Sequence, residues 1–152
     1  MIKSLRINFK ALLLLIILIA LALVTSFMIV EQFNLNQISN AFVKTLESKD
    51  IGFLQTFISD QCQIVLDSKS AAFKHANKEI SDTVIFNEEH RYEQIKFLGT
   101  DHNKQYSRML LYHVTAINEI SDEIPKDNLL SYCIIVELDG MSYKITSIQV
   151  ET

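Results

Sequence analysis

The sequence predicts an α+β protein: one N-terminal transmembrane helix, then helices packed on a curved antiparallel sheet. Three observations predict it. Residues 11–30 hold no charge. From residue 35 apolar side chains recur at helical spacing, and from residue 83 the apolar period drops from about 3.6 residues to two. Helices followed by a run of antiparallel strands is the order of an α+β domain.

The apolar block, residues 11–30, reads ALLLLIILIALALVTSFMIV. At about 1.5 Å per residue it reaches roughly 30 Å, the thickness of the hydrocarbon core. Its 14 Leu, Ile, Val and Phe residues contribute on the order of −4 to −8 kcal/mol to insertion. Thr25 and Ser26 can be satisfied on the helix's own carbonyls. Lys3, Arg6 and Lys10 precede the block, whereas Glu31 follows it and the next basic residue is Lys44. Because basic loops stay inside, the expected layout is a cytoplasmic leader (1–10), a transmembrane helix (11–30) and an extracytoplasmic domain (31–152). That is a single-pass protein of the cell membrane. A cleaved secretory signal has an apolar region of about 7–15 residues before a small-residue site. Here the run continues through Phe27, Met28, Ile29 and Val30, past Ala20/Ala22 and Val24/Ser26. A retained signal-anchor is expected, with cleavage near Phe27 as the alternative. No Cys closes the run, which excludes lipoprotein processing.

All 18 acidic residues follow residue 30, with 11 of the 14 basic ones, so that part carries −7. A surface of that sign opposes binding to nucleic acid and to anionic headgroups. Cys62 and Cys133 lie where oxidation is permitted, which leaves open both a Cys62–Cys133 disulfide and two separate thiols. A domain of this size buries an adequate core without a staple. The Lys-, Ile- and Asn-rich usage and the absence of Trp suit a bacterial chain.

Leu35, Ile38, Ala41, Phe42 and Leu46 share a helix face opposite Asn36, Asn40, Lys44 and Glu47. Only residues 31–34 separate this helix from the apolar block, so the two can run on as one, and the domain must sit next to the bilayer. Ser48, Lys49 and Asp50 break the pattern and cap a second short helix over 51–58. Cys62, Ile64 and Leu66 alternate with polar residues and predict a short strand. A further helix is expected over 68–80. Strands follow at 83–86, 92–98 and 106–117, the last two joined by the turn-rich GTDHNKQ. On the longest strand Leu110, Tyr112, Val114 and Ala116 share one face and Met109, Leu111, His113 and Ile117 the other. Apolar residues on both faces mark a central strand. Residues 120–128 form a loop. Strands 129–138 and 142–150 make a hairpin around Asp139–Gly140. Tyr143 and Ile145 are out of phase with Ile148 and Val150, which predicts a bulge near Thr146–Ser147.

This order resembles the nuclear transport factor 2-like superfamily, whose members fold as a cone of helices in a bent sheet. AFVKTLESKDIGFLQTFIS (41–59) is similar to that family's opening pair of helices. IIVELDGMSYKITSIQV (134–150) is similar to its closing hairpin, where an aromatic-basic-apolar triplet follows a glycine turn. The triplet usually begins with Trp, and here it begins with Tyr143. The superfamily holds enzymes, pocket-bearing domains and scaffolds, so the resemblance implies a fold and not an activity. Its ketosteroid-isomerase members use a Tyr from the first helices. No Tyr precedes Tyr92 here, which tells against that chemistry. The anchor plus such a domain also resembles the scaffold subunits of type IV secretion and conjugation machines.

Catalytic and metal motifs are missing from the sequence. His75, His90, His102 and His113 are scattered, with no HExxH or CxxC, so no metal or other cofactor is expected. Glycine stands only at 52, 99 and 140, which rules out a GxSxG elbow and a glycine-rich phosphate loop. Glu88–Glu89–His90 reads as a solvated turn. The candidate pocket residues are Arg108, Tyr112 and His113. Arg108 among apolar walls would favour an anionic ligand, or else it reaches past the strand end to water. His113, beside Met109 and Leu111, reads more as a hydrogen-bonded core histidine than as a base. The expectation is a membrane-anchored, non-catalytic binding or assembly module that contacts another envelope protein or its own copy. The alternatives are a small-molecule pocket or enzyme of the same fold, and a secretion scaffold.

Overall fold

In the computed structural model one helix, α1 (Phe9–Ser48), runs unbroken for 40 residues, about 60 Å at 1.5 Å per residue. The structure describes residues 9–66, 69–72, 90–104, 107–118 and 129–151. The two halves of α1 live in different surroundings. From Phe9 to Val30 every side chain is exposed, and this stretch is long and apolar enough to cross a membrane. Thr25 Oγ1 donates to the Leu21 carbonyl at 3.0 Å and Ser26 Oγ to the Ala22 carbonyl at 2.7 Å, so both hydroxyls are satisfied within the helix. Beyond it Leu35, Ile38, Ala41, Phe42, Thr45 and Leu46 are buried at helical spacing. The helix ends at Lys49, which takes the left-handed conformation (φ 53°) usually given to glycine at this position. Asp50 Oδ1 then accepts from Gly52 N at 2.8 Å and starts a 3-10 turn, Ile51–Phe53.

The second helix expected over 51–58 is therefore a single 3-10 turn. The chain is already extended at Ile58, because Phe57 O accepts from Ile145 N at 2.7 Å and draws the segment onto the sheet. The strands are β1 (Ile58–Leu66), β2 (Lys69–Ala72), β3 (His90–Lys104), β4 (Ser107–Asn118), β5 (Leu129–Asp139) and β6 (Ser142–Glu151). They form one six-stranded sheet in the order β2-β1-β6-β5-β4-β3. All neighbours are antiparallel except β1 and β6, which run parallel, so the sheet is mixed. The helix expected over 68–80 is replaced at Lys69–Ala72 by β2, where pairing along the edge of β1 overrides helical spacing. Residues 73–80, the strand expected at 83–86 and the loop at 120–128 lie outside the described residues.

β4 is central, between β3 and β5. The expected turn GTDHNKQ is mostly strand, since pairing continues to Lys104↔Ser107. Three register shifts along β3, at Tyr92/Gln94, Phe97/Gly99 and His102/Lys104, bend that edge, because each bulge adds one unpaired residue. Gly99 (φ 149°) supplies the conformation needed at the middle one. The bulge in β6 falls at Thr146: Ile135 pairs with Ser147 and Val136 with Ile145. That single extra residue lets Tyr143, Ile145, Ile148 and Val150 all face the core. The β5–β6 loop is two residues, Gly140–Met141, with Gly140 at φ 64°, as tight hairpins require.

The second half of α1 lies on the curved sheet. Phe42 stands between Tyr112 and Tyr132, with ring centroids 4.8 and 5.3 Å away. Ile38, Leu46, Leu54, Leu110, Val114, Ile134, Ile145 and Ile148 close the space around them, each at most 1% exposed. Together these side chains form the core of the described residues.

Candidate functional site

Among the described residues three places carry polar chemistry. The first is at the foot of the sheet, where α1 leaves its apolar half. Glu31 is the first charged residue after that half, and it faces β4 and β6. Arg108 Nε meets Glu31 Oε1 at 2.7 Å, and Tyr143 Oη donates to the same oxygen at 3.1 Å. The ion pair is 13% and 16% exposed, shielded enough for a charge-assisted bond to matter. Arg108 Nη1 also donates to the Ser107 carbonyl at 3.1 Å. Burial, followed by the bond to Glu31, holds the Tyr143 phenol above its ordinary pKa. Asn34 Nδ2 donates to Met141 O at 3.4 Å. An anionic partner for Arg108 is thus supplied by the protein's own helix.

Tyr112 belongs to the same face one step further on. Its hydroxyl donates to Ser39 Oγ at 2.7 Å, while burial pushes its pKa up to about 12. Arg108 to Tyr112 is four residues of strand at about 3.4 Å each. Glu31 to Ser39 is eight residues of helix at about 1.5 Å each. The two paths match, so β4 runs alongside α1 and away from its apolar half.

His113 points to the opposite face of the sheet and does not join Arg108 and Tyr112. It borders the second place, a half-open hollow of about 340 Å³ with Leu98, Met109, Leu111, Cys133 and Gln149. The two thiols are free. Cys62 is buried with the core, and Cys133 sits on the outer face, in the hollow. The sheet separates them, so the Cys62–Cys133 disulfide left open by the sequence is not formed. Burial pushes the Cys62 thiol up to about 12. The third place is a polar recess of about 580 Å³ between β1 and the β5–β6 hairpin, lined by Asp60, Glu137, Asp139 and Lys144 among others. Among the described residues no three His, Cys, Asp or Glu side chains come together as a metal would need.

Glu31, Ser39 and Asn34 were not singled out by sequence reasoning. The only signal was that Glu31 is the first charge after an apolar run. Its partners stand as far as 112 residues away, and nothing local marks such a pairing.

A long helix laid on a bent sheet of this order is the nuclear transport factor 2-like, or cystatin-like, fold, and the likeness to solved structures shows it. A domain of unknown function with a cystatin-like fold from Nostoc punctiforme superposes with TM-score 0.62 at 9% identity, covering 80% of this chain and 76% of that one. An NTF-2 like protein of unknown function from Shewanella oneidensis superposes with TM-score 0.55 at 10% identity, covering 80% and 98%. A DUF4783 family protein from Bacteroides ovatus gives 0.57 at 8%, covering 76% and 96%. At such identities the likeness is one of fold. No protein-family model and no curated protein matches the sequence.

Proposed function

We propose that this protein is a membrane-anchored, non-catalytic binding or assembly module. Its domain stands on the extracytoplasmic side and contacts another envelope protein or a second copy of itself. One observation carries the reading. The helix that is apolar enough to cross a membrane continues without a break into the domain's core, and the Glu31–Arg108–Tyr143 cluster clamps the sheet to it at the junction. Such a joint holds a domain at one height and one angle beside the bilayer, which suits presenting a surface to a neighbour. A scaffold subunit of a secretion or conjugation machine is one form of this role.

The test is crosslinking of the full chain in native membranes, with a photoreactive residue at Leu98, which is 45% exposed on β3. A discrete adduct of dimer mass, or one reproducible envelope protein, is expected. A monomer alone, in membranes that retain the protein through an alkaline wash, would remove the assembly role.

The hollow beside His113 favours a second reading, a small-molecule pocket, since about 340 Å³ is within the range of ligand sites, roughly 300–1,000 Å³. Native mass spectrometry of the micelle-purified chain decides it. A retained ligand mass that disappears in Leu111→Trp supports the pocket, and a bare chain in both removes it.

A further inference from the structure

We propose that the Gly140–Met141 hairpin tip is a second membrane contact, with Met141 entering the headgroup–acyl boundary beside the first turn of α1 past Val30. The inference rests on the anchored reading above and adds to it how the domain is tilted against the bilayer. Position carries it first. Tyr143 is bonded to Glu31 and the Met141 carbonyl to Asn34, so the tip is tied to helix residues 31–34. At about 1.5 Å per residue those lie about 1.5–6 Å beyond Val30. The headgroup layer on each side of a bilayer is about 5–7 Å thick. A group beside helix residues 31–34 is therefore inside that layer, within a side chain's length of the acyl boundary.

Exposure carries it second. Met141 is 94% exposed, the most exposed large apolar residue described, and it ends a hairpin with no apolar neighbour to cover it. Phe33, 60% exposed on the adjoining turn of α1, sits at the same height and adds apolar area at the headgroup–acyl boundary. Charge sets the nature of the contact. The net −7 of residues 31–152 disfavours binding to anionic headgroups, so the tip's attraction is apolar and insensitive to salt. A flexible, unbranched Met suits an irregular lipid boundary. With the helix as one fixed point and the tip as another, the tilt of the domain against the bilayer plane is set, with the hairpin side down.

The experiment uses the full chain in phosphatidylcholine vesicles, with acyl chains either plain or brominated at both shallow and deep carbons. A bimane label is placed in turn at Met141→Cys, Glu151→Cys and Leu21→Cys, all in a Cys133→Ser background, the buried Cys62 being out of reach of the reagent. Glu151 ends β6, about 30 Å of strand away from the tip. For a tip within about 5–10 Å of the acyl boundary, bromination removes about half of the emission at 141 and nearly all at 21, and leaves 151 unchanged at low and high salt. Quenching at 21 but not at 141 overturns the inference and leaves the anchor standing. No quenching at 21 sinks the anchor and the inference together. Equal quenching at 141 and 151 overturns the inference by placing the domain flat on the bilayer.

Discussion

Glu31 follows the last apolar residue of the exposed helix half and accepts bonds from two strands at once. Removing Arg108 leaves that carboxylate shielded with only Tyr143 for company. The pair is neither fully exposed, where it would be worth about 0–1 kcal/mol, nor fully buried, where breaking it costs about 3–5 kcal/mol. Arg108→Ala is expected to destabilise the domain by about 1–3 kcal/mol, read by urea unfolding of the full chain in micelles through tyrosine fluorescence. Thr45 has the opposite sign. Its side chain is fully buried and its Oγ1 has no hydrogen-bond partner among the described residues, so a desolvation cost is carried with nothing there to offset it. Thr45→Val, close in shape, should raise stability by about 1 kcal/mol. No change in the urea midpoint would mean that the hydroxyl finds a partner in solution.

At the scale of elements, two turns use the left-handed region with different residues. Lys49 ends α1 at φ 53° and Gly140 turns the β5–β6 hairpin at φ 64°. A side chain in that region costs about 1–2 kcal/mol, part of which glycine returns through the freer unfolded chain. Lys49→Gly should therefore stabilise by about 0.5–1 kcal/mol and Gly140→Ala destabilise by about 1 kcal/mol. Thermal melts of both variants followed by circular dichroism would show shifts of opposite direction; two shifts of the same sign would contradict the backbone geometry. The bulge at Thr146 works at this scale too. Without it the two halves of β6 would present opposite faces to α1, and either Tyr143 with Ile145 or Ile148 with Val150 would leave the core.

For the whole molecule, burial of weak acids sets the response to alkali. Cys62 is raised from 9.0 to about 12 and Tyr112 from 10.0 to about 12. Raised folded values mean that the native state holds these protons more tightly than the unfolded chain does. Their stabilising effect is complete below the unfolded pKa and is lost as pH climbs through the gap. Stability should be flat up to about pH 9 and then fall, first over the Cys62 window and then over that of Tyr112, until about pH 12. Chemical denaturation of the micelle-bound chain at stepped pH measures this. Cys62→Ala combined with Cys133→Ala, whose thiol burial also raises, should postpone the onset to the tyrosine window, and an unchanged onset would show that the thiols titrate freely. The exposed apolar half of α1 carries no titrating group between residues 11 and 30, so this response to alkali belongs to the domain alone.

Periodicity made much of this protein legible. The uncharged run of residues 11–30, the buried stripe from Leu35 to Leu46, the central position of β4 and the bulge at Thr146 all follow from how often apolar residues recur, which is a local property. Where pairing partners compete with local preference, the sequence misled: Lys69–Ala72 joined a strand edge, residues 51–58 shortened to one 3-10 turn, and GTDHNKQ was drawn into the β3–β4 ladder. The candidate site divided along the same line. Arg108 and Tyr112 were placed correctly on one face of β4, because alternation is local. That Arg108 would find Glu31, Tyr112 would find Ser39, and His113 would stand with Cys133 behind the sheet was decided only when the bent sheet closed on the helix. Such contacts depend on the register and curvature of several strands together, and no single segment encodes them.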